Sequence, residues 1–129
     1  MRTLVLFFSL CYSSCTLAQM SVFVAYSGKD LVGPRLIYAV KEKIRQSSSL
    51  RLSLDLNESV LQGRIVTIDW DTRKPGYATI YSLVITLGVP ETQSQSSYFI
   101  QQSTGVCGTK RIQECAEDIV AEISTRPQI

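Results

Sequence analysis

The sequence predicts an α+β domain ordered β-α-β-β-β-β-α, an approximately five-stranded mixed sheet with two helices packed on one face. Three patterns predict it. Leu50, Leu52, Leu54 and Leu56 alternate with Arg51, Ser53 and Asp55, the two-residue period of a half-buried strand. Ile112, Cys115, Ala116, Ile119, Val120 and Ile123 recur at helical spacing, and so do Leu36, Ile37, Val40 and Ile44. Polar residues at alternate positions of several strands imply one wet sheet face, which places both helices on the other.

The first eighteen residues read as a secretory signal peptide. Arg2 is the basic start, Leu4 to Leu10 the apolar run, and Thr16-Leu17-Ala18 offers small residues at the −3 and −1 positions of a cleavage site. Cleavage after Ala18 leaves residues 19–129 as one exported domain, large enough for a single core. A spanning helix needs about 20 apolar residues. Ser9, Ser13, Ser14 and Thr16 interrupt the run, so no transmembrane helix is expected in the mature form. A lipid anchor at Cys11 or Cys15 would need a small residue before the cysteine and an aliphatic one three before it. Tyr12-Ser13-Ser14-Cys15 meets the first condition alone, which disfavours acylation. The expected location is exported, periplasmic or secreted, in a Gram-negative bacterium.

Charge and cysteine usage narrow the function. Thirteen Lys and Arg face 11 Asp and Glu, and Arg2 leaves with the leader, so the mature net charge is about +1. No field steers the domain to nucleic acid. Lys29, Arg35, Lys41, Lys43, Arg45 and Arg51 form a mild basic bias, but no aromatics interleave with them as base stacking would require. Cys107 and Cys115 remain after cleavage, and two cysteines in an exported domain read as one disulfide. Their spacing is not that of a C-x-x-C redox pair. With no histidine in the chain, a zinc site would lack ligands.

The elements follow in order. Ser21 to Tyr26 is a short apolar, β-prone run closed by Ser27-Gly28 and reads as a buried strand. Asp30 or Gly33 starts the first helix, with Pro34 suited to its first turn and Gln46 to Ser49 ending it. Leu50–Leu56 is the clearest strand. Asn57-Glu58-Ser59 is a turn and also spells a glycosylation sequon, without meaning in a bacterium. Arg64 to Trp70 returns as a strand with Val66, Ile68 and Trp70 on one side. Asp71 to Gly76 is a turn, and Tyr77 to Val89 pairs back as the second arm of a hairpin. Pro90 to Ser97 is a polar loop expected to be the most mobile interior segment. Tyr98 to Thr104 is the last strand. Thr109 is a natural N-cap for the second helix. A Cys107–Cys115 bond would pin the loop before that cap onto the helix. Residues 126–129 form a frayed tail.

Four constellations invite chemical readings. Gly28 and Gly33 follow a strand and open a helix, as in a phosphate-binding loop. Pro34 and Arg35 stand where that motif requires Lys and Ser or Thr, so the reading is a structural turn. Asp69 and Asp71 flank Trp70 at strand spacing and could hold a cation or act as an acid and base pair. Asp71 also opens a turn, the ordinary place for aspartate. Asp55, Asn57 and Glu58 resemble the start of a calcium loop that lacks its glycine and distal glutamate. No histidine base and no G-x-S-x-G elbow support nucleophilic catalysis. No catalytic, cofactor-binding or metal-binding residue is assigned, no cofactor is expected, and enzymatic activity is the disfavoured reading. Trp70, Tyr77, Tyr81 and Tyr98 lie on or beside strands. Facing the wet side of the sheet, they would form a binding platform of hot-spot residue types; facing inward, they pack.

Gly33 to Ser47 together with Leu50–Leu56 resembles the strand-helix-strand opening of the TolB N-terminal domain class. Val106-Cys107-Gly108-Thr109-Lys110-Arg111 with Cys115-Ala116 is similar to a motif of small uncharacterised exported proteobacterial proteins. TolB proteins also carry a β-propeller, for which this chain has no room. The resemblance implies an envelope protein-interaction module without catalytic residues. The sequence thus favours an exported domain that binds an envelope or extracellular protein. A small hydrolase or lyase without a recognisable motif, or a secreted effector or inhibitor, are the alternatives.

Overall fold

A computed structural model describes residues 19–88 and 97–125. The signal segment 1–18, nearly all of the Pro90–Ser97 loop and the tail 126–129 lie outside the described residues. The elements are β1 (Met20–Gly28), α1 (Gly33–Gln46), β2 (Leu50–Leu52), β3 (Leu61–Asp69), β4 (Ala78–Gly88), β5 (Ser97–Gly108) and α2 (Ile112–Ser124). They form one five-stranded mixed sheet in the order β2-β1-β3-β4-β5. β1 is parallel to both β2 and β3, and β3-β4-β5 is an antiparallel meander.

The expected element order and two-helix layer are those observed. The α1 stripe Leu36, Ile37, Val40 and Ile44 is buried, as is the α2 stripe Ile112, Cys115, Ala116, Ile119 and Ile123. Both pack against Val22, Val24, Leu61, Ile65, Leu83 and Ile85 of the sheet. Each such side chain contributes about 1.5–3 kcal/mol by leaving water. Lys43 Nζ donates to Glu117 Oε1 at 3.0 Å and joins the two helices at the surface.

β2 is shorter than its leucine alternation predicts. Ser53 N–H makes the last ladder bond, to Val22 O at 2.8 Å, and Leu54 beyond it is 88% exposed. Two local bonds then turn the chain: Asp55 N–H donates to Ser53 Oγ, and Asn57 N–H donates to Asp55 Oδ1. Side chains that offer the backbone such bonds compete with a sheet ladder. Topology requires the exit. Leu52 and Leu61 both align with Val22 on opposite sides of β1, so the chain must leave β2 early and pass around the start of β1 to begin β3.

Thr109 does not cap α2. Its hydroxyl donates to Gly76 O and Tyr77 O, its N–H donates to Tyr77 O, and residues 109–111 form a 3-10 turn before α2 begins at Ile112. β5 extends past the expected Thr104 to Gly108, so Cys107 lies in the strand itself and not in a loop.

Candidate functional site

β3 and β4 decide which side chains meet solvent. Thr67, Ile65, Gly63 and Leu61 point to the helices, so Arg64, Val66, Ile68 and Trp70 point to the open face. The antiparallel register sets Ile68 beside Ile80 and Ile80 beside Val106, one apolar row across three strands. Ile68 and Val106 are each 59% exposed. Trp70 adjoins the row, 51% exposed, and its ring centroid lies 6.1 Å from that of Tyr77 in a tilted contact.

The β3–β4 turn holds these two rings side by side. Asp71 Oδ1 accepts the Arg73 N–H at 2.9 Å, and Lys74 N–H donates to Asp71 O. Gly76 adopts φ +81°, a left-handed conformation that favours glycine. The Thr109 hydroxyl, donating to Gly76 O at 2.6 Å, ties the turn to the end of β5.

The four aromatic candidates therefore separate. Trp70 and Tyr77 converge at one end of the open face. Tyr81 belongs to the opposite face: it is buried beneath α2, next in register to Gly105, and leaves the candidate surface. Tyr98 is exposed but pairs with Leu87, nine residues along β4 from Ala78, roughly 30 Å away at strand rise. Ile68, Ile80 and Val106 are the surface residues that reading the sequence did not single out. The available signal was the Val66, Ile68, Trp70 alternation, which shows that three residues share a face without saying which face.

The Gly28–Gly33 turn is filled by the protein's own groups. Asp30, 6% exposed, accepts the Gly33 N–H through Oδ2 at 2.8 Å and the Thr67 hydroxyl through Oδ1 at 2.5 Å. Thr67 has one proton and gives it to Asp30, so Tyr26 donates to Thr67 Oγ1 at 3.1 Å. Burial pushes the Asp30 carboxyl up, but the Thr67 hydroxyl and the Gly33 N–H, which both donate to it, outweigh burial and hold the group below its ordinary value. The two glycines have a steric reason: a Cβ at either position would run into Thr67 Oγ1 and the Tyr26 hydroxyl. Asp30 takes the N–H that an anionic ligand would use at this helix start.

Asp69 and Asp71 do not converge. Asp71 is committed to its own turn and to Arg73. Asp69 faces the helix layer, and its Oδ1 is buried without a hydrogen-bond partner among the described residues. Asp55 caps the 3-10 turn at residues 56–58, and among the described residues no group of three or more Cys, Asp or Glu can hold a metal. A groove of about 480 Å³ lies between the start of α1 and the turn before α2. Its ionisable lining is Arg35, Tyr38 and Lys110, with no carboxylate to serve as acid or base. Cys107 is fully buried on the helix side and stands 6.1 Å from Cys115 by Cα, within disulfide reach. No helix among the described residues is long and apolar enough to cross a membrane.

No protein-family model matches the chain, and no curated protein matches it. Solved structures do. A hypothetical protein from Chlamydia trachomatis is similar with a TM-score of 0.55 at 10% identity, over 83% of this chain and 96% of its own. PelC from Paraburkholderia phytofirmans, solved as a dodecamer, gives a TM-score of 0.55 at 5% identity, over 86% of this chain and 92% of its own. What the chain shares with both is the fold, and at these identities the fold carries no function with it.

Proposed function

We propose that this chain is an exported domain of the cell envelope that binds a protein partner through the open face of its sheet. The observation that carries the reading is the in-register row Ile68–Ile80–Val106, extended by Trp70 and Tyr77, with large apolar side chains turned to solvent. A contiguous apolar surface of this kind marks an interaction site, and tryptophan and tyrosine are the residue types that anchor one. Export rests on the Met1–Ala18 pattern. The likeness of the opening segment to the TolB N-terminal class, and of the Val106–Ala116 segment to small exported proteins, fits the same location.

Photo-crosslinking in the native host tests it. A photoreactive residue at position 68 or 80 should yield one protein adduct, a residue at exposed Glu114 on α2 should not, and Ile68→Asp should abolish the adduct formed from position 80. Adducts formed from position 114 alone would overturn the reading.

A further inference from the structure

The two edges of the sheet are built differently. β2 is three residues long and exposes Arg51, the short charged edge that discourages strand pairing. β5 runs for 12 residues, Ser97–Gly108, without a charged residue or a proline. Among the described residues its backbone pairs with β4 alone. Trp70 N–H donates to Ala78 O, so the neighbouring Thr79 and then Tyr81 and Leu83 direct their N–H and C=O groups the other way, to Cys107, Gly105 and Ser103. The amides and carbonyls of Gln102, Thr104 and Val106 are left pointing outward, and all three residues are exposed.

One side of α2 lies beneath this edge. Ile123 packs over Gly63 of β3, its Cδ1 3.6 Å from where a Cβ would stand, whereas Glu122 turns to β5 and accepts the Ser103 hydroxyl at 2.5 Å. Asp118, one turn earlier, shares that side. Burial first, and then Glu122 and Asp118, raise the Tyr81 phenol between them and the sheet. Lys43 is paired with Glu117 and Arg111 with Glu114, and no Lys or Arg among the described residues pairs with Asp118 or Glu122. The edge therefore offers free backbone bonds above and, below, two carboxylates without a direct ion pair: among the described residues Glu122 accepts only from Ser103 and Gln101, and Asp118 feels the Arg111 guanidinium at longer range.

We infer that β5 receives an extended basic peptide segment of a partner protein as a sixth strand, with its Lys or Arg side chains set over Asp118 and Glu122. Main-chain bonds supply affinity in strand addition, and alternate side chains supply selectivity. A second copy of this chain fits the edge worse. Two β5 strands paired with each other would bring Asp118 and Glu122 of one α2 toward the same two residues of the other. This inference is independent of the open-face reading; the two surfaces share Val106.

The probes are two nine-residue peptides alternating threonine and valine with lysine in one and glutamate in the other, titrated into the purified protein at low ionic strength. The lysine peptide should bind at least about ten-fold more tightly than the glutamate peptide, and it should slow amide exchange at Gln102, Thr104 and Val106. Thr104→Pro removes an outward N–H and should abolish binding. Asp118→Lys, on an exposed helix position that leaves folding intact, should weaken the lysine peptide about ten-fold, and Ile68→Asp should leave it unchanged. Equal affinity for the two peptides, no binding of either, or protection outside β5 would overturn the inference. So would a concentration-dependent dimer that Thr104→Pro dissolves, which would assign the edge to a second copy.

Discussion

The ring of Tyr81 fills the space in which Gly105 would carry a side chain: a Cβ there would stand 2.5 Å from Tyr81 Cζ. The two residues are direct partners across β4 and β5. A glycine opposite a tyrosine lets the ring lie down on the strand, where α2 covers it, instead of standing into solvent. Gly105→Ala should therefore cost about 1–3 kcal/mol through overpacking, read as a lower urea midpoint. In a Tyr81→Ala background the same change should cost much less. Additive penalties would show that the ring is not what the glycine accommodates.

Asp30 links the β1–α1 turn to β3, and its protonation is tied to folding. Its folded value lies below the ordinary 3.8, so the folded state holds its proton less tightly than the unfolded chain. The stabilisation is present above the unfolded value and is lost as pH falls through the folded one. Stability of the wild-type protein should thus decline on acidification below about pH 4, and Asp30→Ala should flatten that part of the profile. The same substitution strands the Thr67 hydroxyl and the Gly33 N–H and should cost about 1–3 kcal/mol at neutral pH. A variant with unchanged stability at pH 7 would refute the buried node.

A Cys107–Cys115 bond, within reach at a Cα separation of 6.1 Å, would close β5 onto the first turn of α2. In protein recovered from an oxidising compartment, thiol titration under denaturing conditions should find neither cysteine reactive. Reduction should then remove about 2–3 kcal/mol, the value of a short closed loop. Two reactive thiols per chain would contradict both the bond and the exported setting.

Trp70 is the one tryptophan of the chain, which makes it a reporter for the open face. Half exposed in the free protein, it should be quenched readily by acrylamide. Binding of the native partner should shift its emission to the blue and protect it from quenching. Trp70→Ala should change stability by less than about 0.5 kcal/mol, as expected for a surface substitution, while Tyr81→Ala should cost about 3–5 kcal/mol, as for a buried aromatic. Equal effects of the two would contradict their placement on opposite faces.

Hydrophobic spacing within single segments was enough to read the number, type and order of the elements, because a helix stripe such as Ile112 to Ile123 is a local property of the chain. The β3–β4 hairpin was legible for the same reason: two β-prone runs flank a Pro-Gly turn. What spacing leaves open is everything that depends on a neighbour. The leucine alternation of residues 50–56 looks like a long strand, yet only Leu50–Leu52 stay in the sheet, because β3 must start on the far side of β1. Thr109 looks like a helix cap, and its hydroxyl is taken instead by a turn some thirty residues earlier in the chain.

The candidate site shows the same division. From its residues alone, the chain determined that Val66, Ile68 and Trp70 share one side of a strand and that Tyr81 shares a side with Leu83 and Ile85, since alternation sets relative direction. The tertiary structure decided which side α1 and α2 would cover. β4 is apolar on both faces, with Ile80 and Val84 on one and Tyr81, Leu83 and Ile85 on the other, so its sequence holds no absolute orientation. That came from α2 packing Ile123 over Gly63 while the Tyr81 ring lies in the space Gly105 leaves, which buried Tyr81 and left Ile68, Ile80, Val106, Trp70 and Tyr77 facing water.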